Sequence, residues 1–322
     1  MREDNLKVGN ELATYFNKKL GVITYSGTLA IEIALQLLLN ENDNVLVSSE
    51  VCYSIINTIL KLKMNPIIIK PKNNFYLTDE DIDLSIKKYN IKCIMLVHQY
   101  GLLNNINLPK YRKLGIRIIE DVAQAWNINS ENYNIGVLSD IVVTSFGKTK
   151  PLSYGIGGGL FFDDYKILDK LDFCDNISRE NPNLLLSYLY PLCNEINVEN
   201  LIFSANSIVQ EQRKNAEKYD KVFRDNSNID FFRYSKNIYN IWHRFPIWIK
   251  DDNIFKKILF ILNELKIEYQ LPHDLDLIEL KKFKDCDFIN NSNDKINIIL
   301  LRTRNINLEE QDKKLKKMLK LI

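Results

Sequence analysis

The stretch TSFGKTKPLSYGIGGG, residues 144–159, is the part of the sequence that decides the fold. An apolar run ends just before Ser145, and the glycines at the end of the stretch lead into another apolar run at residues 160–162. Both runs predict strands, with Lys148 and Lys150 in the turn between them. The simplest interpretation of either lysine is a solvated surface charge, because most lysines are of that kind. The glycines do not fit the dinucleotide-binding pattern GxGxxG, because its last position is leucine and a strand follows instead of a helix.

Outward from this stretch, the first half of the chain alternates short apolar runs with longer helical patterns. The runs are rich in Ile and Val and lack alternation, as expected of strands that are covered on both faces. Strands alternating with helices predict βαβ units and a mainly parallel sheet. The predicted strands are Val22–Tyr25, Val45–Ser48, Ile67–Ile69, Cys93–Val97, Ile116–Glu120, Ile141–Thr144 and Leu160–Phe162, and the predicted helices are Thr28–Leu39, Tyr53–Lys63, Asp79–Lys88 and Leu108–Leu114.

The pattern changes after Asp164, where helix and loop are predicted up to about residue 220. Extended segments and helices then predict an α+β region that follows the α/β region. No linker rich in Gly, Pro or Ser separates the two, so we expect them to pack together. The later predicted elements are the helix Arg213–Phe223, the extended segments Ile229–Arg233 and Ile238–Ile249, the helix Asp252–Leu265, the strand Ile296–Leu301 and the helix Leu308–Leu321.

Composition restricts the partners and the compartment. The chain has 322 residues, 46% hydrophobic and 26% charged, and a formal net charge of +2, which favours neither nucleic acid nor a membrane as a partner. Five cysteines without a CxxC pair indicate a reduced, cytoplasmic compartment, and three scattered histidines do not suggest a metal site. The first residues, MREDNLKVGNEL, lack the apolar core of a signal peptide.

Ser26-Gly27-Thr28 follows the first predicted strand and opens a helix. A helix N-terminus offers unpaired backbone N–H groups and the positive end of the helix dipole. A glycine there lets an anion such as phosphate come close. Ser and Thr are also common as plain N-caps, however, and the motif taken alone favours that simpler interpretation.

The segment IIEDVAQA, residues 118–125, places Asp121 at the carboxyl end of a predicted strand. Ligands of open α/β sheets bind at such strand ends. A carboxylate beside small residues could keep a ring nitrogen protonated there. The alternative is an N-cap aspartate, which a single motif of this kind favours by roughly two to one.

These three segments occur in one order along one predicted sheet, and together they resemble the DegT/DnrJ/EryC1/StrS family of pyridoxal-phosphate enzymes. SGTLAIEIAL, from residue 26, is similar to the family's SGTxAL phosphate motif, and EDVAQA, from residue 120, is similar to its EDxAQA motif. SFGKTKPLSYGIGG, from residue 145, is similar to its SFxxxK-x-L-[TS]-x-G-x-GG motif. HQYG, at His98–Gly101, is similar to its VHxYG stretch, although His98 also fits a hydrogen-bonded structural histidine.

The resemblance implies fold type I, an α/β fold that has a large domain with a mostly parallel seven-stranded sheet and a smaller C-terminal α+β domain. We expect residues 1–205 and 206–322 to form these domains, and the chain to be a homodimer with its active site at the subunit interface. The resemblance also implies that Lys150, rather than Lys148, binds pyridoxal phosphate and later moves a proton. Asp121 would pair with the ring nitrogen. The other residues assigned to the cofactor are Gln124 near the ring hydroxyl and Gly27, Thr28 and Ser145 at the phosphate.

Two further assignments rest on weaker parts of the resemblance. Cys52 lies where the family places an aromatic ring over the cofactor, and either Cys52 or the adjacent Tyr53 could pack there; a small buried residue is an equally good interpretation of Cys52. Asn197 matches an Asn that the family lends to the cofactor phosphate of a neighbouring subunit. The arginine and methionine of that segment are replaced by Glu199 and Asn200.

The resemblance predicts an aminotransferase that moves an amino group from an amino acid, L-glutamate, to a keto carbon of a nucleotide-linked sugar. Two alternatives stay open. One is a sugar dehydratase-like enzyme, although relatives with that chemistry replace the lysine that is present here as Lys150. The other is a cofactor-binding regulatory protein without turnover. Two departures from the family keep it in consideration: Glu199 replaces the arginine named above, and Ile156 replaces the acidic residue of the family's G-E-G-G. The absence of GxGxxG after the first strand disfavours a nicotinamide dehydrogenase.

Overall fold

The computed structural model describes residues 2–72, 76–167, 195–233, 237–272, 286–290 and 297–322. In these ranges the strands are β1 Leu20–Thr24, β2 Asn44–Ser48, β3 Asn65–Lys70, β4 Ile91–Val97, β5 Arg117–Asp121, β6 Asn129–Ser130, β7 Tyr133–Asn134, β8 Ile141–Ser145, β9 Gly158–Phe162, β10 Asp230–Phe231, β11 Ile238–Tyr239, β12 Phe245–Ile249, β13 Tyr269–Gln270, β14 Asp287–Asn290 and β15 Asn297–Leu301. The α-helices are Arg2–Thr14, Gly27–Leu38, Tyr53–Lys61, Asp79–Lys88, Leu108–Lys113, Val198–Phe223, Asp252–Glu264 and Leu308–Leu319.

The largest sheet confirms the predicted fold class and adds one strand to it. Its order is β1-β9-β8-β5-β4-β2-β3-β14. All seven predicted strands are present, and every pairing from β8 to β14 is parallel, while β9 is antiparallel to both of its neighbours. The predicted count of seven was wrong for the sheet as a whole, because β14 from the C-terminal part of the chain pairs with the edge strand β3.

Both faces of this sheet are buried, which explains the continuous apolar runs. In β4, Ile94 and Leu96 contribute to one hydrophobic cluster, whereas Cys93 and Met95 contribute to another. Successive side chains of a strand point to opposite faces, so the two clusters lie on the two sides of the sheet. A strand in this position needs apolar residues at every position.

The N-terminal helix, which the sequence analysis did not predict, closes the β1 edge of the sheet. The side chain of Asn5 donates to the carbonyl of Ile23 and accepts from its N–H, both at 2.8 Å, and the Asn10 side chain accepts from the N–H of Gly21 at 2.9 Å. These side chains occupy backbone groups that an edge strand would otherwise expose. The contact is close enough to require a glycine, because a Cβ on Gly9 would lie 2.0 Å from the carbonyl oxygen of Gly21.

The C-terminal part of the chain builds a second sheet, β10-β12-β15-β13, with its own hydrophobic cluster around Trp242, Phe245 and Leu301. The Val198–Phe223 helix crosses the predicted boundary between residues 205 and 206. The division into domains 1–205 and 206–322 stays a prediction. A large share of the predicted helix and loop region, residues 168–194, lies outside the described residues, as do Cys174, Cys193 and His273.

The described helices include none that is long and apolar enough to cross a bilayer.

Two predicted helix starts are confirmed. Thr78 and Asp81 form a capping box at the Asp79–Lys88 helix, and the Asn307 side chain accepts a hydrogen bond from the N–H of Glu310 at 3.3 Å.

Candidate active site

The predicted site residues meet at the end of the large sheet. The loops that follow β1, β2, β5 and β8 surround a pocket of about 240 Å³. The carboxyl ends of parallel strands lie at one edge of a sheet, which is where open α/β sheets bind ligands. The lining includes every predicted site residue except Asn197: Gly27, Thr28, Cys52, Asp121, Gln124, Ser145 and Lys150.

The start of the Gly27–Leu38 helix forms one wall of this pocket. Ser26 is the N-cap, and its Oγ accepts a hydrogen bond from the N–H of Leu29 at 3.2 Å. Ser26 therefore does act as a plain N-cap. Gly27, the next residue, has a separate function. A Cβ on Gly27 would lie 2.8 Å from the Cβ of Ser145, so only glycine allows the helix start to approach the end of β8. The resulting cradle of backbone N–H groups beside a hydroxyl suits a phosphate.

Replacing Gly27 with alanine should weaken binding of pyridoxal phosphate about tenfold or more, because an overpacked contact of this kind costs about 1–3 kcal/mol. Titration of the apo-protein with the cofactor, followed by absorbance, measures the change in Kd. Gly147→Ala is the matched control, since a Cβ there meets its nearest neighbour, the Oγ of Ser145, at an ordinary 3.5 Å. Equal affinities for the two variants would contradict the prediction.

Asp121 ends β5 with its carboxylate directed into the pocket region. Its side chain is buried, and Oδ1 accepts a hydrogen bond from the N–H of Ala123 at 2.8 Å. Burial raises the pKa of Asp121, while the Ala123 N–H and the charge of Lys150 offset part of that rise. A cationic ligand group beside the carboxylate would stabilise its charged form further.

A buried polar network lies behind Asp121 and holds the end of β5 in place. His98 is fully buried, with Nδ1 accepting from the N–H of Asn104 at 3.0 Å and Nε2 lying 3.2 Å from Glu120 Oε1. Glu120 also accepts from the hydroxyl of Tyr133 and from the N–H of Gly136. Burial alone would raise the pKa of Glu120, but its hydrogen bonds and the His98 ring hold it below the usual value. His98 thus fits the structural alternative rather than a direct ligand contact.

The two lysines of the turn have different surroundings. Lys150 lines the pocket with Asp121, whereas Lys148 is exposed and lines a separate cavity. Burial lowers the pKa of the Lys150 ammonium below its usual 10.5, with Asp121 and Cys52 acting against the shift and Arg244 adding to it. A lowered pKa provides more of the neutral amine, the form that attacks an aldehyde.

Capture of pyridoxal phosphate by the apo-protein should therefore speed up with pH, with a midpoint below 10.5. Below the pKa of Lys150 the amine is protonated and slow to react, and above it the amine is neutral. Arg244→Gln should raise the midpoint because it removes a charge that lowers this pKa, and Asp121→Asn should lower the midpoint because it removes a charge that raises this pKa. Stopped-flow absorbance over a pH series measures both, and shifts of the reverse sign would disprove the electrostatic account.

The other predicted contacts differ in how they reach the pocket. Cys52 lines it from the start of the Tyr53–Lys61 helix, and the hydroxyl of Ser54 donates to its sulfur at 3.1 Å. Tyr53 is 45% exposed and does not line the pocket, so Cys52 is the better placed of the two alternatives. Gln124 accepts a hydrogen bond from the N–H of Tyr100 through Oε1 at 3.0 Å. Its amide nitrogen therefore points away from Tyr100.

Asn197 lies away from the Lys150 pocket of its own chain. It caps the Val198–Phe223 helix by accepting from the N–H of Asn200 at 2.8 Å, and it lines a cavity of about 310 Å³ beside the N-terminal helix. Its contribution to the pocket of a neighbouring subunit stays a prediction. Gln99, by contrast, lines the Lys150 pocket but was not singled out, although it stands in the HQYG stretch that carried part of the resemblance.

Comparison with known proteins adds evidence for the family. The family model described as DegT/DnrJ/EryC1/StrS aminotransferase family matches residues 3–287. The chain belongs to this family. The match extends well beyond the region in which the sequence motifs were recognised and includes most of the C-terminal part.

Two curated relatives illustrate the similarity. GDP-perosamine synthase of Escherichia coli O157:H7 is 26% identical over 248 residues, which cover 73% of this chain and 67% of that protein. The dTDP-3-amino-3,4,6-trideoxy-alpha-D-glucose transaminase of Micromonospora megalomicea subsp. nigra is 28% identical over 145 residues, which cover 43% of this chain and 38% of that protein. The alignments thus span from about a third to two thirds of these relatives.

Solved structures show the same fold. A DegT DnrJ EryC1 StrS aminotransferase from Brucella abortus superposes with a TM-score of 0.81 at 16% identity, covering 98% of this chain and 88% of that one. The pyridoxal-phosphate form of the protein Spr1654 from Streptococcus pneumoniae superposes with a TM-score of 0.79 at 16% identity, covering 99% of this chain and 91% of that one. The predicted fold, aminotransferase class and cofactor class are confirmed at the level of the family.

Proposed function

We propose that this protein transfers an amino group from an amino-acid donor, L-glutamate, to a keto carbon of a nucleotide-linked sugar. The observation that carries the proposal is the meeting of Lys150 and Asp121 in one pocket beside the Gly27–Leu38 helix start. An amine with a lowered pKa, a buried carboxylate and a phosphate cradle are the groups that pyridoxal phosphate requires. The residues present therefore fit this cofactor.

Each residue has a defined role in this proposal. When bound, pyridoxal phosphate supplies an electron sink that stabilises negative charge on the donor's α-carbon. Asp121 would hold a proton on the ring nitrogen. Backbone N–H groups at Gly27 and Thr28, together with the Ser145 hydroxyl, would bind the phosphate. The Nζ of Lys150 would attach the cofactor and, once released, would accept the proton that leaves the α-carbon of the donor.

The names of the two relatives, a GDP-perosamine synthase and a dTDP-amino-sugar transaminase, support a nucleotide-linked sugar as the acceptor. We also propose a homodimer in which Asn197 reaches the phosphate site of the neighbouring subunit. Within one chain Asn197 does not line the Lys150 pocket. It lines a separate cavity next to Asp4 and Lys7 of the N-terminal helix, as we expect of a residue that acts in another subunit.

The dehydratase alternative is disfavoured by a specific observation. Such chemistry goes with replacement of the cofactor lysine, and here Lys150 is present and lines the pocket. The regulatory alternative predicts a protein that binds the cofactor but releases no ketoacid.

The proposal is tested by the visible absorption spectrum of the purified protein with pyridoxal phosphate, recorded before and after addition of L-glutamate. The expected result is a yellow protein whose visible band is lost as 2-oxoglutarate appears in equal amount. D-Glutamate serves as the matched control and should leave the band unchanged. A band that no L-amino acid removes would refute transamination and favour the regulatory alternative.

A further inference from the structure

Gln99 is a buried amide in the wall of the Lys150 pocket, and none of the cofactor assignments uses it. The residue is only 8% exposed. It follows β4 in the HQYG stretch and begins a single turn of 3₁₀ helix, Gln99–Gly101. Burying an amide is costly unless its oxygen and its two N–H groups find partners. The partners of Gln99 therefore indicate what the residue does.

One partner of Gln99 is Gln124, the residue assigned to the ring hydroxyl of the cofactor. The Nε2 of Gln124 donates to Gln99 Oε1 at 3.5 Å, and the Oε1 of Gln124 accepts from the backbone N–H of Tyr100 at 3.0 Å. A backbone N–H can only donate and an amide oxygen can only accept, so both contacts select the same orientation of the Gln124 amide. The second N–H of Gln124 Nε2 is not used by either contact.

Tyr100 completes this set of contacts. Burial raises the pKa of its hydroxyl and the charge of Glu50 raises it further, while a hydrogen bond with the Gln99 side chain acts against both. Gln99 is thus held between the Gln124 amide and the Tyr100 hydroxyl, and the backbone of Tyr100 in turn holds Gln124. We call Gln99, Tyr100 and Gln124 the Gln99 cluster.

The backbone of Tyr100 is strained, which indicates that its surroundings impose its position. Its φ is +58°, in the left-handed region that residues other than glycine rarely adopt. The carbonyl of Tyr100 accepts from the N–H of Arg244 at 3.3 Å, and the carbonyl of Gly101 accepts from the N–H of Ile241 at 2.9 Å. Strain that neighbouring contacts maintain in this way is concentrated at functional sites. Here it fixes a backbone donor that faces Gln124.

We propose that Gln99 is a positioning residue that keeps the Gln124 amide nitrogen directed at the ring hydroxyl of pyridoxal phosphate. The inference deepens the proposed function and rests on its assignment of Gln124. Without Gln99, only the Tyr100 N–H would oppose a half-turn of the Gln124 amide that exchanges its nitrogen and oxygen. A donated hydrogen bond stabilises an ionised ring oxygen, whereas an amide oxygen in the same place repels that charge.

Direct contact of Gln99 with the cofactor is the competing role, since Gln99 lines the same pocket. Its oxygen, however, accepts from Gln124, and its side chain also bonds the Tyr100 hydroxyl. These contacts occupy the polar atoms that Gln99 would offer to a ligand. The two roles also differ in what they predict, because a positioning residue has an effect only while Gln124 is present.

The test is a pH titration of the visible band of the protein with bound pyridoxal phosphate, without any amino donor. The band reports a proton that the ring oxygen shares with the Lys150 nitrogen, so a weaker donor to that oxygen raises the midpoint. Gln99→Leu should raise the midpoint by about one pH unit, comparable to the loss of one hydrogen bond to a charged group. Gln124→Leu should raise it at least as much. Gln210→Leu, at an exposed position of the Val198–Phe223 helix, is the matched control and should titrate as the wild type does.

The double variant Gln99→Leu/Gln124→Leu separates the two roles. Its midpoint should equal that of Gln124→Leu, because Gln99 then has no amide to position. Additive shifts would overturn the inference and assign Gln99 to the ring directly. A wild-type midpoint for Gln99→Leu, or equal midpoints for the wild type and Gln124→Leu, would overturn it too. Gln99→Met, which is closer to glutamine in length, should give the same shift as Gln99→Leu and guards against a loss of packing.

Reaction with L-glutamate is followed in the same samples, so that the two proposals fail separately. A wild type whose midpoint depends on Gln99 and Gln124 as expected, but which never reacts with an amino donor, would retain this inference and refute amino transfer. Amino transfer by an enzyme whose midpoint is unchanged in Gln99→Leu would refute this inference alone.

Discussion

Lys150→Ala should lower the rate of amino transfer by about 10³-fold or more, because the variant lacks the amine that attaches the cofactor and moves the proton. Burial lowers the pKa of Lys150, which increases the fraction of neutral amine at any given pH. The rate of 2-oxoglutarate formation from L-glutamate, with pyridoxal phosphate in excess, measures the loss. Added methylamine should restore part of the proton transfer in the variant. It should not restore the covalent attachment of the cofactor to the protein.

The companion variant, Lys148→Ala, tests which of the two turn lysines attaches the cofactor. It should keep the visible band of lysine-bound pyridoxal phosphate, since Lys148 is exposed and lines a separate cavity instead of the cofactor pocket. A band that survives in Lys150→Ala and is lost in Lys148→Ala would reverse the assignment.

The sequence was sufficient to predict most of the large sheet and the position of its site. Continuous apolar runs such as Cys93–Val97 identify strands that are buried on both faces. Once those strands are taken as parallel, Cys52 and Asp121 must lie at the same edge, because each follows or ends a strand at its carboxyl end. Both residues line the pocket as that argument requires.

Features that depend on distant pairing could not be predicted in this way. β14 is a four-residue segment, DFIN, with a polar residue at each end, and nothing in its local pattern shows that it extends the sheet beside β3. The N-terminal helix was missed for a related reason. Its fit depends on Gly9 approaching Gly21, a contact between elements that periodicity does not reveal.

The neighbouring positions of Arg244 and Arg302 show the same limit. Arg244 stands in IWHRFPIWI next to a predicted extended segment, and Arg302 follows a predicted strand, so each resembles an ordinary charged residue at a strand end. Only the pairing of Phe245 with Leu301 brings the two charges side by side. Register between antiparallel strands is set by tertiary packing, which a single sequence does not specify.

Asp121→Asn should lower kcat for amino transfer by about 10²–10³-fold, the effect usually found when a group that stabilises developing charge is removed. The amide has nearly the same shape and can still accept from the N–H of Ala123, so the fold and the binding of the cofactor phosphate should be retained. It lacks the negative charge that keeps a ring nitrogen protonated in a buried site. Pre-steady-state loss of the visible band with L-glutamate measures the step directly.

The matched control is Asp83→Asn, which removes a carboxylate that pairs with Lys110 at the surface, where an ion pair contributes about 0–1 kcal/mol of stability. Its amino-transfer rate should equal that of the wild type. Asp121 differs because its charge is buried and lies within the electrostatic influence of Lys150. An Asp121→Asn enzyme with wild-type kcat would show that this carboxylate is only a cap for the Ala123 N–H, the simpler role that its position after a strand also allows.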